Sequence, residues 1–158
     1  MRVLGLALFA ALALSVTAAT ATAQAPLTIQ VISVGTSDRT NDMPPTGPSR
    51  GDTSVQTSRL LNAVPQFGKP RNSVVGRDRA TITLTGPTSG RIDGVTTLPG
   101  GTLVLRGAMR VQPGVGVVFP VVRGTGRYAG ARGTVTILGS NDPLRAVNIY
   151  RLTFPPTA

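Results

Sequence analysis

From about residue 26 onward the chain never sustains a helical period; short runs rich in Val, Ile, Leu and Thr alternate with clusters of Gly, Pro, Asn and Asp. Eight such runs read as strands: Leu27–Val34, Asp52–Leu61, Ser73–Thr85, Arg91–Leu98, Thr102–Val111, Gly116–Arg123, Arg132–Leu138 and Ala146–Phe154. Alternation is clearest where Ala80, Ile82 and Leu84 interleave with Thr81, Thr83 and Thr85, and where Leu103, Leu105, Met109 and Val111 share a face opposite Arg106 and Arg110. Pro99-Gly100-Gly101 makes a tight hairpin between the fourth and fifth runs. With no helix to cover a sheet edge, the economical solution is closure, so the expected fold is an all-β, eight-stranded antiparallel barrel. A barrel of eight strands has room for side chains or one small ligand.

The sixth run is unusual because Val117, Phe119 and Val121 point one way while Val118, Pro120 and Val122 point the other. One row can line the lumen; the other faces outward, where it marks a contact with a second copy unless the loop over 35–50 covers it. A homo-oligomer is therefore expected. Pro120 cannot donate to a ladder, and the strand is expected to break or bulge there. The segment 35–50 itself, with Met43-Pro44-Pro45 and Gly47-Pro48, reads as a flexible Pro-rich loop.

At the front of the chain, Arg2 precedes an apolar run from Val3 to Leu14 and a small-residue stretch from Ser15 to Ala25. That is the pattern of a signal peptide over 1–23, cut after Ala21-Thr22-Ala23, with a single barrel domain over 24–158 and an extracellular location. The run is too short for a transmembrane helix and no later segment is long enough.

The chemistry open to the chain is narrow. It has no His, Cys or Glu, which removes Ser-His-Asp and Cys-His arrangements and the common zinc sets. Its six acidic residues are all Asp. Asp38-Arg39-Thr40-Asn41-Asp42 lacks calcium-loop spacing, so no metal is expected, and nothing calls for a cofactor. A net charge of +10 invites a polyanion partner. Yet the arginines are dispersed, only Lys69 is a lysine and aromatics for base stacking are scarce, so nucleic acid is not expected.

The most distinctive segment is Val121-Val122-Arg123-Gly124-Thr125-Gly126-Arg127-Tyr128-Ala129-Gly130-Ala131-Arg132-Gly133. Together with Gly51-Asp52, Val75-Gly76 and Gly100-Gly101 it resembles the dirigent proteins and the related allene oxide cyclase barrels, over most of Leu27 to Leu152. The resemblance implies a calycin-like barrel, often trimeric, whose lumen binds a small apolar molecule and steers its cyclisation or coupling. It departs at Arg123, where the pattern has Gly, and after Val75-Gly76, where the cyclases carry Cys. Aligned on Val31 to Arg39, Ser33 stands where the plant cyclase keeps a catalytic Glu, and Gly35 where it keeps Asn. Gly124, Thr125, Gly126 and Gly133 are expected to be structural in a hairpin, with Tyr128 packing beside them.

Asp52 matches the family's Gly-Asp and is the candidate for chemistry: a carboxylate entering the lumen, or a rim residue that caps and pairs. Arg79 and Arg106 are candidate partners or ligand contacts, although Arg106 also fits a solvated outer face. Tyr150 is either a lumen proton donor or a satisfied core tyrosine. Asp93, beside Gly94, reads as a turn residue. Three functions remain open: a cofactor-free, isomerase-like cyclase barrel; a non-catalytic carrier or cell-surface-binding barrel; and a polyanion binder.

Overall fold

The computed structural model describes residues 25–110 and 116–155. Eight strands follow in order: β1 Leu27–Asn41, β2 Thr53–Asn62, β3 Val74–Gly86, β4 Ser89–Leu98, β5 Gly101–Arg110, β6 Val117–Gly124, β7 Arg132–Gly139 and β8 Arg145–Thr153. Each pairs antiparallel with its successor, and β8 returns to β1 in register from Leu27↔Leu152 to Val34↔Arg145, so the sheet closes into a barrel. Apart from one 3₁₀ turn, Gly126–Tyr128, no helix occurs among the described residues. The N-terminal leader and Val111 at the expected end of the fifth strand lie outside the described residues.

Two expectations need correction. Residues 35–50 are not all loop, because β1 continues to Asn41 beyond a bulge between Gly35 and Ser37. The apolar signal stops at Val34 since both faces are wet at the rim. Side chains hold the strand there: Ser37 Oγ lies 2.6 Å from Thr57 Oγ1, and Ser54 Oγ donates to Asp38 Oδ1 at 2.7 Å. Pro120 does not break β6 either. It pairs opposite Thr134 of β7, while the register with β5 shifts between Val104 and Leu105. Gly107 makes room on β5, where a Cβ would stand 2.9 Å from Pro120 Cδ.

The lower half of the barrel is solid. Val31, Leu60, Leu103, Val135, Tyr150 and Leu152 are fully buried there, each worth roughly 2 kcal/mol of transfer free energy. The Gly124–Gly133 segment closes this end. Thr125 ties it to β5 by its N–H to Thr102 O at 2.9 Å and by its hydroxyl to Thr102 Oγ1 at 2.7 Å. Tyr128 is fully buried and its hydroxyl donates to Pro99 O at 3.0 Å. The glycines let backbones touch: a Cβ on Gly124 would meet Tyr128 O at 1.8 Å, and one on Gly133, at φ 143°, would meet Arg151 O at 2.0 Å. Gly126 has φ 59° and would meet Gly100 O at 2.0 Å.

These clashes are with backbone, which cannot step aside. Gly124→Ala is expected to lose more than about 2 kcal/mol or fail to fold, whereas Gly139→Ala, with nothing within 4 Å, should stay within about 0.5 kcal/mol of wild type in thermal unfolding.

Candidate functional site

Above the solid half the barrel opens into a cavity of about 230 Å³. Its cause is side-chain size: the inward positions at this level include Ser33, Ser58, Ala80, Gly94 and Ala146, which leave the middle unfilled. The cavity has two unlike walls. Ile82, Ile92, Leu105, Met109, Phe119 and Ile137 supply an apolar side, and Ser33, Gln56, Ser58, Asp78 and Asn148 supply a polar one from β1, β2, β3 and β8. Thr96 and Tyr150 join at the floor, where Thr96 Oγ1 lies 2.9 Å from the Tyr150 hydroxyl.

Asp78 is the carboxylate of this cavity. It sits opposite Ser58 on β2 and Thr96 on β4, and accepts a hydrogen bond from Ser33 Oγ at 3.3 Å. Burial pushes its carboxyl above the ordinary value, partly offset by hydrogen bonds from Ser58 and Ser33. Tyr150 is pushed up as well, chiefly by burial, so its hydroxyl keeps its proton. Asn148 is 4% exposed, and its Oδ1 has no hydrogen-bond partner among the described residues. A buried acceptor of this kind costs about 1–3 kcal/mol if left open, so a guest or a water has reason to donate to it.

Of the residues singled out in the sequence as candidates for chemistry or ligand contact, Tyr150 faces the cavity with its side chain, and so does Ser33, the position where the plant cyclase keeps a Glu. Arg79 borders it but belongs to the outward row of β3 and is exposed. Arg106 is on the outer face in an exposed ion pair with Asp93, which is thus a mid-strand residue rather than a turn residue. Asp52 is buried at the rim, away from this cavity. Its Oδ1 accepts from Met43 N at 2.8 Å and its Oδ2 from Ser49 N at 2.7 Å, with Ser49 Oγ adding a third bond at 3.1 Å. Those backbone N–H groups, Ser49 first, lower its pKa. Asp52 therefore organises the 42–52 loop.

Asp78 and Asn148 were missed in the sequence. Asp78 is flanked by Arg77 and Arg79, which makes the triplet look like a solvated charge run. The signal was its parity, since it lies two residues before Ala80 on the face of Ile82 and Leu84.

Known structures share this architecture. A pyocyanin demethylase matches with a TM-score of 0.67 and 21% identity over 80% of this chain and 100% of its own. An exo-specific intermolecular Diels-Alderase matches at 0.65 and 14%, over 82% and 99% of the two chains. A pterocarpan synthase dirigent protein matches at 0.62 and 14%, over 93% and 98%. No family's sequence pattern matches the chain, and no curated protein does. At these identities the likeness is one of fold. The chain has the eight-stranded barrel found in dirigent proteins and in cyclase and Diels-Alderase barrels.

The half-buried Asp78 and the buried Asp52 should carry opposite pH signatures. The raised pKa of Asp78 means that the stability of wild type relative to Asp78→Asn is fully present below 3.8 and falls as pH rises through the folded-state value. For Asp52 the lowered pKa gives the reverse: stability relative to Asp52→Asn holds above 3.8 and is lost as pH falls through the folded-state value. Urea midpoints of the three proteins between about pH 3 and pH 7 check both signs.

Proposed function

We propose that this chain is an exported substrate-steering barrel, which holds one small molecule in its lumen and fixes its conformation so that one cyclisation or coupling outcome dominates. The observation that carries the reading is the two-sided cavity, with a partly desolvated carboxylate facing an apolar wall. The ligand class follows. A purely apolar guest would leave Asn148 Oδ1 without a partner and the partly desolvated Asp78 with its serine donors alone, so the guest is a mostly apolar molecule with an O–H or N–H head group directed at the polar wall. Export is supported by the signal-peptide pattern of 1–23.

Within such a site the apolar wall excludes water and holds the flexible part of the guest, which lowers the barrier through orientation. Asp78 accepts the head-group proton or stabilises positive charge as it develops. This bears on the departure at Ser33. The structure puts Ser33 on the cavity wall as a donor to Asp78, so the carboxylate stands on β3 while the β1 position holds a hydroxyl that supports it.

The same reading includes self-association. Val118 is 54% exposed, and Val122 and Leu138 lie beside it on the outer face of β6 and β7. We assign this row to contact with a second copy of the chain.

Two experiments test these points. Native mass spectrometry of protein from its own host should show one small molecule per chain, displaced in Phe119→Trp, which fills the cavity. An isomerising ring closure leaves mass unchanged, so turnover of the recovered precursor then appears as a chromatographic shift at constant mass, whereas coupling appears as a product heavier than the precursor. Asp78→Asn should retain binding within about tenfold and lose turnover by about 10²-fold or more. Stoichiometric binding with no change in the guest identifies a carrier instead. In sedimentation, wild type should exceed monomer mass at tens of micromolar and Val118→Asp should approach it; a monomeric wild type defeats the self-association.

A further inference from the structure

The densest concentration of positive charge is on the outer face, away from the lumen mouth. Register sets Arg59 of β2 directly opposite Arg77 of β3, with Arg79 two residues further along the same face. Cα atoms opposite one another lie about 5 Å apart, i,i+2 neighbours about 7 Å and diagonal neighbours about 8 Å. Three side chains as long as arginine can therefore converge on one point. They border a groove of about 640 Å³ floored by Thr57, Val95 and Thr97.

Like charges placed opposite each other destabilise a sheet. No carboxylate relieves this trio among the described residues. Asp78, between Arg77 and Arg79 in sequence, borders the groove as well, but its carboxylate is engaged on the lumen side by Ser33 Oγ, and Asp93, two residues along β4 from Val95, is taken by Arg106. All three arginines are exposed and none is in an ion pair.

We infer that this groove is a binding site for a doubly charged tetrahedral oxyanion, phosphate or sulfate, free or carried on a small ester. Guanidinium forks match its oxygens in geometry, and Thr57 and Thr97 add hydroxyl donors at the edge. An ester fits the groove further, because the half-exposed Val95 gives its organic part an apolar surface. The groove shares Arg79 and Val95 with the border of the lumen cavity, whereas Arg59 and Arg77 belong to the groove alone, so a change at Arg77 tests it apart from the proposed activity.

Thermal unfolding and calorimetry of the full chain test it with inorganic sulfate against sodium chloride at equal ionic strength. Sulfate should raise the melting temperature saturably in wild type, and Arg77→Gln should weaken sulfate affinity at least tenfold. Arg151→Gln removes the same charge from an exposed position on β8 and should weaken it less than twofold. In chloride alone Arg77→Gln should melt no lower than wild type, since it removes repulsion rather than a satisfied contact. Phenyl phosphate binding at least fivefold tighter than inorganic phosphate, with the gain lost in Val95→Ser, identifies the ester; equal binding identifies the free ion. Equal losses in Arg77→Gln and Arg151→Gln, or no saturable sulfate effect in wild type, overturn the site.

Discussion

Closure of the sheet through the β1–β8 ladder is the constraint on which everything else rests. An open eight-stranded sheet would present two rows of unpaired backbone groups, and this chain has no helix longer than one 3₁₀ turn among its described residues to cover them. Pairing Leu27–Val34 with Arg145–Leu152 removes both edges. It also turns a two-faced sheet into an inside and an outside, so each residue's parity decides its environment. The shortest ladder of the ring among the described residues is β5–β6, whose register shifts at Val122, between Leu105↔Val121 and Val104↔Arg123, just beyond Pro120, which can offer no N–H. Gly107 and the three tight glycines at the opposite end keep backbones close enough for the ring to shut.

Side-chain volume then divides the inside in two. At the lower levels Leu60, Leu103, Leu152 and Tyr150 meet across the axis and fill it, and the buried Tyr128 plugs the bottom. Toward the other end of the barrel β2, β4 and β8 present Ser58, Gly94 and Ala146, and a cavity results. The two halves thus have different tolerances. A change of volume below is a core mutation with the usual cavity or overpacking penalty, while a change above alters what the lumen can hold.

The fold was legible in the sequence because closure and alternation are written in residue order: runs such as Thr81–Thr85 and Leu103–Leu105 declare both strand and face. The end of β1 was not, because Ser37, Asp38 and Asn41 lie at a wet rim where apolar alternation carries no information. The site was only partly legible. Tyr150 could be read from its strand face, but Asp52 drew the attention that belonged to Asp78, since a Gly-Asp pair at a strand entry looks the same whether its carboxylate enters the lumen or folds back onto a loop. Hydrogen bonds from Met43 and Ser49 decide that, and they depend on a loop conformation that spacing does not encode.

The distribution of charge follows from the same parity. Every strand carries an exposed outward arginine, from Arg39 on β1 to Arg151 on β8, so the positive charge of the described residues sits on the outer face. With the guanidinium groups directed outside, no cation among the described residues pairs with Asp78 in the cavity, and its hydrogen bonds come from Ser58 and Ser33. A lumen arginine would hold that carboxylate ionised and saturated. Leaving it to burial and weak donors keeps its proton affinity raised and its acceptor capacity open. A guest with a polar head group can use that state, and so can a reaction that develops charge beside it.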